Sequence, residues 1–254
     1  MSNRLRWKRL RRTRLIQSTP VLQGPSSGGY DSPFSSAIDA DNELERLGEK
    51  FQPSKRHHNY LQHYWTHLRD IRHQVRSMIE IGVQTDRSVR MWEAFFPNAQ
   101  IYGIDVDPAC KEFEGGRVHI RIGSQADPQF LNEVLDEIGE TLDLVIDDGS
   151  HISEHQLQTF DQLFPQMSDH GVYVIEDTGG AVGDTELQTV NRCKQLIDHV
   201  MFWPADYRPE DWGKLSSFPA EASWADRNIV GLAFYRWIVF VFRGHNPEDN
   251  PFLS

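Results

Sequence analysis

At 254 residues, with 39% hydrophobic and 25% charged content, the chain suits one large α/β domain with an appended segment, or two small domains. No apolar run approaches the ~20 residues that span a bilayer, the N-terminus lacks a signal-peptide core, and Cys110 and Cys193 are too few for a disulfide scaffold or a cysteine zinc site. The first 15 residues hold seven of the 26 Lys and Arg and no acid, which leaves 19 basic against 37 acidic residues; a body of net charge −18 is a poor partner for nucleic acid.

In chain order, residues 18–36 (STPVLQGPSSGGYDSPFSS) are rich in Ser, Gly and Pro, so residues 1–36 read as a basic arm and flexible linker before a folded domain over 37–254. Residues 39–75 have helical character. A regular alternation follows: strand 77–82 (SMIEIG), helix 86–96, strand 100–107, a short helix at 108–114, and strand 118–123. Helix 127–139 has Pro in its first turn and Gly at its end, and leads into strand 143–148. A helix over about 153–166, strand 171–177 and a helix over 184–200 come next, before a hairpin of 229–235 and 238–244. Short apolar strands alternating with helices predict an α/β fold with a mostly parallel sheet covered on both faces. Seven strands ending in an antiparallel hairpin are the order of the Rossmann-like class I methyltransferase fold.

In such sheets ligands bind outside the carboxyl ends of the strands, where strand order reverses. The predicted strand ends are polar or acidic throughout: Glu80-Ile81-Gly82, Asp105-Val106-Asp107, Gly123-Ser124-Gln125, Asp147-Asp148 and Glu176-Asp177. EIGVQTDRS lacks the full G-x-G-x-x-G run, and no Walker A sequence occurs. Asp105 nevertheless ends the strand after Glu80 at a spacing close to that of a ribose-binding carboxylate. A tight turn with a ribose carboxylate and no phosphate-binding glycines suits S-adenosylmethionine (SAM) better than a dinucleotide. The expected cofactor contacts are Glu80, Gly82, Asp105, Gln125 and Asp147.

The stretch LDLVIDDGSHISEH, residues 142–155, ends an apolar strand in two carboxylates, and Glu176 and Asp177 end the adjacent one. Four carboxylates at one cleft repel each other unless a cation compensates them. Hard oxygen ligands suit Mg²⁺, Mn²⁺ or Ca²⁺. His151, three residues past Asp148, has a side chain suited to removing a proton.

From SKRHHNY through MIEIGVQTDRSVRMWEAFFPNAQIYGIDVDP to LVIDDGSHISEHQLQTFDQLFPQMSDHGVYVIEDT, the sequence resembles the metal-dependent sugar O-methyltransferases of macrolide deoxysugar and rhamnosyl pathways, over roughly residues 45–245. The resemblance implies Mg²⁺ on Asp148, Glu176 and Asp177, with His151 as the base. It also implies a hydroxyl on the sugar of a glycosylated small molecule or glycolipid as the acceptor. Two departures stand out: GGAVGD (179–184) replaces an aromatic-containing segment, and Ser124 stands where members often carry an acid. The auxiliary N-terminal domain of some members is not expected here.

Beside this reading stand a phenolic or other small-molecule hydroxyl as acceptor, a non-catalytic SAM-binding protein, and an RNA-associated protein. Against the last stand the acidic body and Asp-Asp-Gly-Ser-His where an Asn-Pro-Pro-Tyr-like element would sit. Aromatic residues over 202–224 (Phe202, Trp203, Tyr207, Trp212, Phe218, Trp224) read either as a lid over the acceptor or as sheet-edge packing. The His63/His67 pair lacks H-E-x-x-H chemistry and does not point to zinc. The expected setting is the cytoplasm, with a small glycoside as partner, no nucleic acid and no transmembrane segment. Weak membrane-surface contact through the arm and a homo-oligomer are left open.

Overall fold

The computed structural model describes residues 42–139, 142–179, 187–201 and 222–246. The basic arm, the GGAVGD stretch after Gly179 and the aromatic residues at 202–221 lie outside the described residues. Three helices open the domain: α1 (Glu43–Phe51), α2 (Ser54–His57) and α3 (Leu61–Leu68). The helical region expected over 39–75 is divided into these three because Gln52 and Asn59 take left-handed backbone angles and Pro53 follows the first of them.

The alternating part consists of β1 (Ser77–Ile81), α4 (Asp86–Phe95), β2 (Gln100–Asp105), a 3₁₀ turn (Pro108–Phe113) and β3 (Val118–Ile122). It continues with α5 (Pro128–Ile138), β4 (Leu142–Asp147), α6 (Ser153–Leu163), β5 (Met167–Ile175) and α7 (Gln188–Val200). Helix α8 (Trp224–Asn228) precedes the hairpin of β6 (Ile229–Tyr235) and β7 (Ile238–Arg243). Helix α5 shows the local logic: Asp127 caps two backbone N–H groups, Pro128 fits the first turn, and Gly139 closes the helix in the left-handed region. Strand β5 begins four residues before its expected start and stops at Ile175, leaving Glu176 and Asp177 just beyond it.

The sheet order is β3-β2-β1-β4-β5-β7-β6, parallel through β5, with β7 antiparallel between β5 and β6. This is the class I methyltransferase arrangement. Strand alternation divides the interior into two cores. Met78, Ile101, Leu144, Ile146, Val172 and Val174 pack with Leu61, Tyr64, Trp92 and Phe95 of α3 and α4. Ile79, Tyr102, Val145, Tyr173 and Val239 pack with Leu131, Phe160 and Leu196 of α5, α6 and α7. Chain order reverses between β1 and β4, so the crevice for a ligand opens where their carboxyl ends part.

Candidate functional site

A cavity of about 700 Å³ lies at that point, within the usual range for a small-molecule site. The ends of β1 to β4 line it through Gly82, Asp105, Gln125 and Asp148, and His58 and Asp177 close its other side. Gly82 is required by geometry. Its φ is +88°, and a Cβ there would come within 2.0 Å of the Asp148 carbonyl oxygen. Asp105 accepts the backbone N–H groups of Val83 at 2.9 Å, Gln84 at 2.8 Å and Asp107 at 2.9 Å. Burial pushes its pKa up, but the three N–H donors outweigh that and hold it below the usual carboxylate range. Asp105 therefore fixes the β1–α4 loop as an anion and keeps only its remaining lone pairs for a ligand.

Two of the expected cofactor residues lie outside the cavity lining. Asp147 lies on the α6 side of the sheet, fully buried and outside the cavity lining. It accepts from Gln125 Nε2 at 3.1 Å, while Gln125 Oε1 accepts from Ser150 N at 2.7 Å. Burial raises its pKa to about 6, against the opposing pull of the Gln125 bond. Glu80 sits on the opposite face, fully buried behind Gly82, and accepts from Trp92 Nε1 at 3.0 Å. Both residues brace the wall of the cavity and do not form its surface, because strand alternation turns them into the two cores.

The carboxylate cluster already contains a cation. Lys55, fully buried in α2, places Nζ 2.6 Å from Asp148 Oδ2, 2.8 Å from Glu176 Oε1 and 3.2 Å from Glu80 Oε1. Burial alone would depress its pKa, but the charges of Asp148, Glu176 and Glu80 hold it well above the usual value. One ammonium cannot neutralise three carboxylates, and burial together with Asp148 pushes Glu176 up to about 8. Tyr64 donates its hydroxyl to Glu176 Oε1, and Tyr60 donates to Asp177 Oδ1 at 2.6 Å. Sequence reasoning called for a cation at these carboxylates but did not find Lys55, Tyr60 or Tyr64. Only the folding of α2 and α3 over the strand ends brings them there.

The cavity side of the cluster differs. Asp148 gives one oxygen to Lys55 and Asp177 gives one to Tyr60, and their other oxygens face His151 Nε2 at 3.9 and 3.7 Å. Asp148, His151 and Asp177 thus each offer a ligand atom, all within 4.8 Å of one another. The two carboxylate oxygens fit a hard divalent cation, and the imidazole stands beside them as a proton acceptor. Glu176 is set back, with Oε1 engaged by Lys55 and Tyr64, so the ligand set expected from sequence is not drawn together around one point. His151 and Asp177 both hold left-handed backbone angles, φ +55° and +51°, a strain typical of residues fixed for function.

Trp224, grouped with the aromatic lid, packs edge-on against Phe164 and under Arg243 at the amino end of β5, opposite the cavity. It belongs to sheet-edge packing. His63 stacks on Tyr235, and His67 Nε2 lies 2.9 Å from the Tyr235 hydroxyl.

No protein-family model matches the chain. It is 36% identical over 209 residues to the mycinamicin VI 2''-O-methyltransferase of Micromonospora griseorubida, covering 75% of this chain and 49% of that one. It is 34% identical over 208 residues to the demethylmacrocin O-methyltransferase of Streptomyces fradiae, covering 75% of this chain and 50% of the relative. By sequence the chain is similar to these O-methyltransferases. It spans about half the length of the curated relatives it matches. A tetracenomycin-C 3'-O-methyltransferase of Streptomyces olivaceus, whose substrate is named with a 2-methoxy-rhamnosyl group, shares 33% identity over 75% of this chain and 51% of its own. Among solved structures, the MycE methyltransferase of the mycinamycin biosynthetic pathway, in complex with Mg, SAH and mycinamycin VI, superposes with a TM-score of 0.67 at 33% identity. That match covers 81% of this chain and 54% of MycE.

Proposed function

We propose that this chain is a SAM-dependent, divalent-metal-dependent O-methyltransferase acting on a sugar hydroxyl of a glycosylated small molecule or glycolipid. The observation that carries this reading is the pair of free carboxylate oxygens, on Asp148 and Asp177, facing His151 at the mouth of a cavity at the β1/β4 switch point. SAM would supply an electrophilic methyl group in the part of the cavity lined by Gly82, Asp105 and Gln125. A divalent cation held by Asp148 and Asp177, with Glu176 behind them, would lower the pKa of an acceptor hydroxyl. His151 removes the hydroxyl proton, its Nε2 being the ring nitrogen that faces the carboxylates. Tyr60 and Lys55 each hold one oxygen of a carboxylate and so aim the other at the cavity. The inner carboxylates stay buried, and Gly82 and Gly149 let the loops after β1 and β4 approach where a Cβ would clash with Asp148 and Gln125.

Isotope-labelled SAM and a glycoside panel, followed by mass spectrometry with and without EDTA, test the reading. Asp148→Asn should lose metal affinity and turnover together while SAM affinity stays within a few-fold. His151→Ala should keep metal affinity and lose ~10²–10⁴ in turnover, as expected for a missing general base. Full methyl transfer in EDTA would remove the metal, and lost metal affinity in His151→Ala would make that residue a ligand and not a base.

A further inference from the structure

The β6–β7 hairpin closes in two residues, Arg236 and Trp237, between the paired Tyr235 and Ile238. Trp237 takes φ +67°. A positive φ at the second loop position is met with Gly or Asn in ordinary turns, and a bulky aromatic there is strained. The turn itself gives no reason for tryptophan, and neither does the core, since 47% of the residue is exposed.

Position supplies a reason. Ile175 of β5 pairs antiparallel with Val239 of β7, so the hairpin tip lies beside the chain that leaves β5. The backbone confirms the closeness: Thr178 N donates to the Trp237 carbonyl at 3.1 Å. The indole edge rests on the next residue, where a Cβ on Gly179 would fall 3.0 Å from Cδ1 and 3.4 Å from Nε1. Arg236 covers one face of the ring, its guanidinium carbon 4.4 Å from the centroid. A half-exposed indole is thereby fixed against Gly179, two residues past Asp177 of the cavity mouth, with a cation stacked on it.

We propose that Trp237 is the platform on which the acceptor's pyranose ring rests, a specificity-determining contact that holds the reacting hydroxyl toward Asp148, Asp177 and His151. This rests on the reading of the acceptor as a glycoside. The C–H face of a pyranose is apolar and packs on indole, and the Arg236 N–H groups are donors for sugar hydroxyls at the ring edge.

Steady-state kinetics and melting of Trp237→Gly and Trp237→Phe, using a glycoside that the wild type methylates, provide the test. Glycine suits φ +67°, so Trp237→Gly should melt at or above the wild-type temperature with SAM and Mn²⁺ affinities unchanged. Its KM for the glycoside should rise ~10-fold or more while kcat moves less than ~3-fold, and Trp237→Phe should recover most of the loss. A KM within ~2-fold of wild type in the glycine variant, or no recovery with phenylalanine, overturns the platform while leaving the methyltransferase reading intact. A wild type that methylates phenols and no glycoside overturns both.

Discussion

Replacing Lys55 by methionine removes the one buried ammonium from a cluster of three carboxylates and leaves a side chain of similar length. Each of its pairs, at 2.6 to 3.2 Å, corresponds to roughly 5 kcal/mol of attraction at an effective dielectric of about 20. Desolvation of the ammonium offsets much of that sum, and breaking one partner of a buried pair costs about 3–5 kcal/mol net. For a domain of this size each kcal/mol shifts the melting temperature by about 2–4 °C, so a fall of about 6–20 °C is expected in EDTA at pH 8. The carboxylates can relieve their repulsion by taking up protons. Glu176, already pushed up to about 8 with the lysine present, binds more protons folded than unfolded between its ordinary value and that pKa. Native-state proton binding of this sign makes stability fall as pH rises, so the variant's deficit should shrink at pH 5.5 and widen at pH 8. Mn²⁺ or Mg²⁺ should restore more of the melting temperature in the variant than in the wild type. Scanning fluorimetry across pH with EDTA or metal reads all three effects. A loss below about 2 °C at pH 8, or one equal at both pH values, would refute Lys55 as the resident counter-charge.

Asp105→Ala removes the acceptor for three backbone N–H groups and the carboxylate offered to the cofactor, so SAM affinity should fall at least ~10-fold by calorimetry while Mn²⁺ binding persists. Unchanged SAM affinity would take Asp105 out of the cofactor site. His63, half-buried against Tyr235, has its pKa lowered to about 4 by burial and by neighbouring His67, so the native state binds fewer protons than the unfolded chain between about pH 6.5 and 4. Stability should therefore be lost as pH falls through that window, and His63→Phe should flatten the loss. Identical acid limbs in the two proteins would exclude His63 as a source.

The sequence determined the framework because its signals are local and periodic. Apolar runs of strand length, the Asp127–Pro128 start and Gly139 stop of α5, and the order of strands and helices specify a doubly covered sheet whatever the side chains later touch. The acids at the strand ends were visible for the same reason: Asp105, Asp148 and Asp177 sit where a parallel sheet must present them. Period-two alternation even implied that Asp147 and Asp148 would part to opposite faces, although adjacency in sequence made both look like site residues. Tertiary structure alone decided what surrounds them. Lys55 reaches Asp148 across 93 positions and Tyr60 reaches Asp177 across 117, distances over which no periodicity carries information. Trp237 comes to Thr178, next to Asp177, only because β7 inserts between β5 and β6 and runs antiparallel, which turns the hairpin tip back to the carboxyl end of the sheet. Charge balance at the cluster followed the same rule: repulsion among the acids could be read from composition and position, but the cation that answers it arrives from a helix packed over the strand ends.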